Sequence, residues 1–216
     1  MFSDRRDAGR RIADALFRFK DRDPVVLALV RGGVPVGFEV ARALDAPLDI
    51  VLVRKVGAPD RPEFAAGAIV DGTDPEIVIN TEVMHLTGMT EEDFSEVAKP
   101  QLAEIERRRL LYLGGRRRPE LAGKTAIITD DGVATGATTR AALRAIRRQK
   151  PARLVLAVPV APPETIAELR VDADEIVCLE TPTTLVAISR FYDRFEQVGD
   201  DEVIDLLDRA QHVRER

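Results

Sequence analysis

Thr125-Ala126-Ile127-Ile128-Thr129-Asp130-Asp131-Gly132-Val133-Ala134-Thr135-Gly136-Ala137-Thr138-Thr139 is the stretch that decides the fold. Its first five residues are apolar or β-branched. Gly123-Lys124 precedes them and Asp130-Asp131-Gly132 follows, the pattern of a short buried strand. Residues 137–149 carry Ala141, Leu143, Ala145 and Ile146 at helical spacing, and Thr138 or Thr139 is placed to cap the first turn. Between strand and helix lies a tight loop of small residues and hydroxyls. In open α/β sheets, ligands bind outside the carboxyl ends of the strands, which is where this loop falls. Its two ends have opposite chemistry. The adjacent carboxylates of Asp130 and Asp131 are acceptors suited to a pair of vicinal hydroxyls. Thr135, Gly136, Ala137, Thr138 and Thr139 offer backbone N–H groups, hydroxyls and a helix N-terminus, which suit a phosphate dianion.

A ligand meeting both ends carries a sugar diol and a phosphate a few bonds apart, as ribose 5-phosphate does. Ile128-Thr129-Asp130-Asp131 followed by Thr135-Gly136-Ala137-Thr138 closely resembles the ribose-phosphate fingerprint of type I phosphoribosyltransferases, enzymes that use phosphoribosyl pyrophosphate (PRPP). The Walker A phosphate loop is the nearest competitor, but it requires a Gly-Lys-Ser/Thr ending and no lysine lies between Lys124 and Lys150. An ordinary strand–turn–helix, with Asp-Asp-Gly as its turn, is the plain alternative. The resemblance implies an α/β fold: a doubly wound, mainly parallel sheet flanked by helices, with a small hood and a flexible loop. It implies transfer of a phosphoribosyl group from PRPP to a nucleobase or other small nucleophile, with release of pyrophosphate. Asp130 and Asp131 would hold the ribose hydroxyls, and residues 134–139 would anchor the 5-phosphate. Mg²⁺ would be held mainly by substrate and water rather than by protein ligands. The same pocket could instead serve a non-catalytic PRPP sensor acting as a regulator. One departure stands out. Purine-salvage members usually carry an aspartate at the position of Ala134, and alanine cannot transfer a proton. Glu63 or Asp60, in the loop of residues 56–67, is then the candidate for the acid/base group.

Outward toward the N-terminus, residues 25–30 are a continuous apolar run, as in a strand buried on both faces. The run ends in Arg31-Gly32-Gly33, and residues 34–44 read as a helix with Pro35 in its first turn. Two glycines allow backbone N–H groups to approach an anion closely, and Arg31 adds fixed charge. A plain turn with a surface arginine is the other reading. In the resembling family such a loop binds the pyrophosphate of PRPP and often contains a non-proline cis peptide, which points to Val30–Arg31. Residues 48–53 read as a strand ending in Arg54-Lys55, a basic pair that the resemblance sets against pyrophosphate. Residues 56–67, rich in glycine and proline and without periodicity, read as a mobile lid. Residues 68–70 and 76–79 read as a small hairpin. Ahead of them, residues 5–19 form an amphipathic helix whose arginines face away from its apolar stripe.

Downstream, Thr90-Glu91-Glu92-Asp93 is a capping box opening a helix that Pro100 ends or restarts. The triplets Arg107-Arg108-Arg109 and Arg116-Arg117-Arg118 read as solvated faces rather than an RNA site, because no aromatic platform accompanies them. Strands are expected over 154–160 and 175–179, and helices over 164–170 and 200–211. Phe191, Tyr192 and Phe195 form the densest aromatic group. With Pro182, Phe191 and Tyr192 are either a stacking surface for an acceptor base or packing for the C-terminal helix.

The whole chain of 216 residues, 45% hydrophobic and 32% charged, reads as one globular domain with residues 181–216 as its hood. A net charge of −5 suggests no nucleic-acid face. A single cysteine, Cys178, excludes an internal disulfide and suits a reducing cytoplasm. The N-terminus lacks the apolar segment of a signal peptide, and no run is long enough to cross a bilayer. His85 and His212 are isolated, so no metal cluster of protein ligands is expected. A homodimer is expected from the resemblance.

Overall fold

The computed structural model describes residues 1–59, 61–72 and 75–214, with the side chains of Pro62, Glu63, Val213 and Arg214 outside that description. The two acids considered for proton transfer, Asp60 and the Glu63 side chain, therefore lie outside the described residues. Contacts divide the chain into two compact units, Met1–Ile50 with Arg117–Arg216, and Val51–Arg116.

The larger unit contains α1 (Arg5–Leu16), β1 (Pro24–Leu29), α2 (Gly33–Leu44) and, at its edge, β2 (Leu48–Val51). After the smaller unit it resumes with β6 (Thr125–Thr129), α5 (Ala137–Arg148), β7 (Arg153–Val160), α6 (Pro163–Leu169), β8 (Glu175–Glu180) and α7 (Asp200–Arg214). Its sheet runs β2-β1-β6-β7-β8. The pairs β1–β6, β6–β7 and β7–β8 are parallel, with Leu27 opposite Ile128 and Ile128 opposite Leu156. Strands β1 and β6 are buried along their whole length, as parallel strands covered on both faces must be. Ile12 and Leu16 of α1 and Val40 and Leu44 of α2 pack with Val26, Ile127 and Val155, so these two helices cover one face of the sheet. The expected mainly parallel α/β sheet is therefore what forms. Helix α1 is capped by Asp4, whose carboxylate accepts from the Asp7 N–H at 2.8 Å.

The smaller unit is an antiparallel sheet, β3 (Val53–Ala58), β4 (Arg61–Val70) and β5 (Glu76–Ile79), with α3 (Thr81–Thr87) and α4 (Glu91–Leu113). Three expectations are corrected here. Arg54 and Lys55 do not end a strand: strand structure is interrupted at Leu52 and both lie inside β3. Residues 56–67 are not an aperiodic lid, because Val56 pairs with Gly67, Gly57 with Ala65 and Ala58 with Arg61. The register shifts on either side of Gly57 explain the misreading: glycine inside a strand marks a bulge as readily as a loop. Helix α4 runs unbroken through Pro100, its start fixed by the expected Thr90/Asp93 capping box. Proline forfeits one backbone hydrogen bond, and Phe94, Ala98 and Ile105, buried on either side, hold the helix together across it.

Candidate active site

Three loops of the larger unit meet at the carboxyl ends of β1 and β6. The loop after β6 carries the acids. Asp131 is 9% exposed and Asp130 is half-buried. The Asp131 N–H donates to Asp130 Oδ1 at 2.8 Å, which orients the first carboxylate. Burial pushes both carboxyls above the usual carboxylate range. For Asp130 the neighbouring Asp131 charge adds to that push, while Arg5 opposes it at both acids.

The loop after β1 abuts these acids directly. A Cβ added to Gly32 would lie 2.1 Å from Asp131 Oδ2, and one added to Gly33 would lie 2.6 Å from the Thr129 carbonyl oxygen. Glycine is therefore required at both positions for close approach. The Val30–Arg31 peptide is cis, as expected from the sequence. Arg31 lies 30% exposed, with Nη1 3.4 Å from Asp200 Oδ1 at the start of α7. That long contact leaves its charge only loosely compensated.

Past Gly132 the β6 loop turns toward α5. The Val133 N–H donates to the Val160 carbonyl at 2.9 Å, and the Thr165 hydroxyl donates to the Ala134 carbonyl at 2.7 Å, so the end of β7 and the start of α6 brace the turn. Gly136, at φ +74°, is the residue that caps α5. This corrects the expected threonine cap: a left-handed residue turns the chain into the helix, and Thr138 and Thr139 fall within its first turn. Ala134, Thr135 and Ala137 are exposed, Thr138 is half-buried and Thr139 is buried. The first turn of α5 contains no acid, so nothing there offsets the positive end of the helix dipole.

Tyr192, in the segment after β8, holds the acid loop. The Tyr192 hydroxyl donates to the Asp131 carbonyl at 2.6 Å, and the ring lies 5.4 Å from Phe2 and 4.9 Å from Phe195, centroid to centroid. At 6% exposure Tyr192 presents no open face for stacking; its ring packs and its hydroxyl positions the loop. Phe191 is half-buried and packs against the same cluster, and Pro182 is half-buried in a coil. The N-terminus ties into the hood, with the Phe2 N–H on the Phe191 carbonyl at 2.8 Å and the Asp193 N–H on the Phe2 carbonyl at 2.8 Å.

The amphipathic pattern of α1 sets Arg5 among its solvated arginines, and the structure makes it part of this site instead. Its Nε donates to Asp131 Oδ2 at 2.7 Å and its Nη1 to the Glu196 carbonyl at 2.7 Å, with the guanidinium 3.7 Å from the Phe195 ring centroid. Helical spacing gives no sign of this, because Arg5 lies at the helix's first position, where a side chain can reach past the end. A cleft of about 280 Å³ opens beside it, lined among others by Arg5, Arg6, Pro35, Arg194, Glu196 and Glu202.

In the smaller unit, Arg54 Nε donates to Gln101 Oε1 at 3.0 Å and Lys55 is exposed. Arg107, Arg108 and Arg109 pair with Glu104 and Glu106 on their own helix, and these pairs hold both glutamates below their ordinary range, Glu104 at about 2. Arg118, in the larger unit, pairs with Asp49 at 2.7 Å. The first triplet is thus charge-balanced by its own helix rather than presented as a basic stripe. Among the described residues, no group of three or more His, Cys, Asp or Glu could hold a metal ion, and no helix is long and apolar enough to cross a membrane.

Comparison with known proteins agrees with this geometry. Residues 4–195 match the family model described as "Phosphoribosyl transferase domain". The chain is 46% identical over 210 residues to the Mycobacterium tuberculosis (strain ATCC 25618 / H37Rv) protein named "Putative phosphoribosyl transferase Rv0571c", covering 97% of this chain and 47% of that one. The protein named "Putative phosphoribosyl transferase MT0597", from strain CDC 1551 / Oshkosh, matches to the same extent. The chain thus spans about half the length of the curated relatives it matches. The crystal structure of TT1426 from Thermus thermophilus superimposes with a TM-score of 0.84 at 40% identity, covering 96% of this chain and 97% of that one.

Proposed function

The chain belongs to the phosphoribosyltransferase family, and on that premise we propose that it transfers a phosphoribosyl group from PRPP to a small acceptor, releasing pyrophosphate. One observation carries the reading: the Asp130-Asp131 tip, the first turn of α5 and the Arg31-Gly32-Gly33 loop converge at the same end of one sheet. The acids accept hydrogen bonds from the ribose 2- and 3-hydroxyls. The N–H groups of residues 135–139 and the Thr135 and Thr138 hydroxyls take the 5-phosphate at the positive end of α5. Arg31 and the N–H groups of Gly32 and Gly33 face the leaving pyrophosphate. For Arg54 and Lys55, in the smaller unit, the pyrophosphate role is proposed from the family resemblance alone.

The displacement at C1 breaks the bond to pyrophosphate ahead of forming the new one, so positive charge develops on the ribose ring. The acid pair stabilises that charge, and fixed donors hold both phosphate ends in place. Few protein carboxylates are grouped here, and this donor set fits a magnesium ion carried by pyrophosphate oxygens and water, where it would neutralise the leaving group. The cleft beside Arg5, with its polar and charged lining, supports a small polar acceptor. Because Ala134 is exposed and cannot move a proton, a PRPP-binding regulator remains the second reading.

The test is pyrophosphate release from PRPP and Mg²⁺ across a panel of nucleobases and other small nucleophiles, with PRPP binding measured by calorimetry. Asp131→Asn should weaken PRPP binding by about tenfold or more, since it replaces one acceptor oxygen by a donor. Unchanged affinity in that variant would remove the diol assignment. Tight binding without turnover on any acceptor would favour the regulator.

A further inference from the structure

Two other arginines of α1, Arg10 and Arg11, are about half exposed (53% and 49%) and form their ion pairs with Asp7 of their own helix. Arg5 differs. Its side chain is 12% exposed, and it reaches a residue 126 positions away in sequence. Oδ2 of Asp131 is confined between Arg5 Nε, at 2.7 Å, and the α-carbon side of Gly32, where no Cβ could stand. Among the described residues no other residue's hydrogen bond reaches Oδ1, and the carboxylate's remaining hydrogen bond is with its own backbone. The main chain of Asp131 is held separately, by Tyr192.

We propose that Arg5 is the positioning residue of the diol site: it clamps Oδ2 of Asp131 against Gly32, so that Oδ1 is the oxygen presented to the sugar, and it places a positive charge beside two adjacent acids that must both act as acceptors. This rests on the reading of Asp130 and Asp131 as the ribose-binding pair. The groups facing the Asp131 carboxylate are Arg5 from α1, Asp130 on its own loop and Tyr192 from the hood, and Arg5 is the cation among them. Two neighbouring carboxylates with no cation beside them hold a proton more tightly, and a protonated acid donates where the diol needs an acceptor. Removing Arg5 therefore costs ribose recognition most on the acid side. The clamp also links that recognition to the hood, because the same guanidinium binds the Glu196 carbonyl and covers Phe195.

The experiment titrates ribose 5-phosphate binding by calorimetry from pH 5 to 8 in wild type, Arg5→Gln and Arg5→Lys. In parallel, the Asp131 carboxyl is followed by carbon NMR, assigned by its loss in Asp131→Asn. Arg5→Gln should bind about tenfold or more weakly at neutral pH, its acid limb should move to higher pH, and the Asp131 titration should move the same way. Arg5→Lys keeps the charge with a poorer fit, so a loss of only a few-fold is expected with the acid limb nearly in place. If the glutamine variant does not fold, lysine decides: affinity equal to wild type overturns the clamp. A loss in Arg5→Gln that is the same at every pH, with an unmoved Asp131 titration, also overturns it. Failure of wild type to bind ribose 5-phosphate defeats the ribose reading instead, and the Asp131 titration then still decides whether Arg5 governs that carboxyl.

Discussion

Gly32→Ala is the substitution with the most direct consequence. At φ −58° and ψ −33° the backbone of Gly32 suits alanine, so no conformational strain arises, and the smaller unfolded-state entropy of alanine favours folding by about 0.4–1 kcal/mol. Sterics oppose it. The new methyl would stand 2.1 Å from Asp131 Oδ2 and 2.6 Å from its carboxyl carbon. Restoring an ordinary 3.4 Å contact moves Oδ2 by about 1.3 Å, enough to break the 2.7 Å bond to Arg5. Overpacking of this kind costs about 1–3 kcal/mol, and a lost charge-assisted hydrogen bond about 1.5–3 kcal/mol. After the entropy gain, a net destabilisation of about 2–5 kcal/mol is expected. At roughly 2–4 °C per kcal/mol for a chain of this size, Tm should fall by on the order of 4–20 °C. The assay is a double-mutant cycle with Asp131→Ala, read by urea and thermal unfolding. Because the clash lies with the carboxylate, Gly32→Ala should cost less than about 1 kcal/mol once Asp131 is alanine, giving a coupling of about 2 kcal/mol. A cost that is the same in both backgrounds, or within about 0.5 kcal/mol of zero in the native one, would refute the close approach of the two loops.

Other outcomes follow from the same contacts. Tyr192→Phe removes the donor to the Asp131 carbonyl and should lower stability by about 1–2 kcal/mol, seen as a lower urea midpoint, while also weakening ribose 5-phosphate binding; a shift in neither would separate Tyr192 from the loop. Asp4→Ala removes the cap of α1 and should cost about 1 kcal/mol at pH 7. The Asp7 N–H holds the Asp4 carboxyl below its ordinary range, so this contribution is present above the unfolded-state pKa and is lost as pH falls through the folded value; the two proteins should converge in urea midpoint as the pH is lowered below the ordinary carboxylate range. Arg54→Ala should slow pyrophosphate release more than it weakens ribose 5-phosphate binding, and equal effects in kinetics and calorimetry would argue against its pyrophosphate role.

Much of the site could be read along the chain, and the reason is locality. Asp130, Asp131, Thr135 and Gly136 are neighbours in one strand–loop–helix, so their spacing carries their geometry. Hydrophobic runs likewise marked β1, β6 and β7, since a parallel strand buried on both faces leaves little choice of residue. The hairpin at 56–67 was misread because glycine and proline signal breaks without saying whether a partner strand absorbs them as bulges. The threonine cap was misread because a glycine at positive φ competes for the same place.

What the sequence determined by itself was a phosphate-binding turn behind a pair of acids on a buried parallel strand. Only the tertiary structure decided what surrounds that pair: Gly32 pressed against Asp131, Tyr192 holding its carbonyl, and Arg5 closing on its carboxylate from the far end of the chain. The physical reason is that periodicity and spacing report forces acting along a few turns of chain. A cation brought to a buried acid by the packing of α1 on the sheet leaves no such local trace, and its contribution exists only once desolvation has made the charge costly.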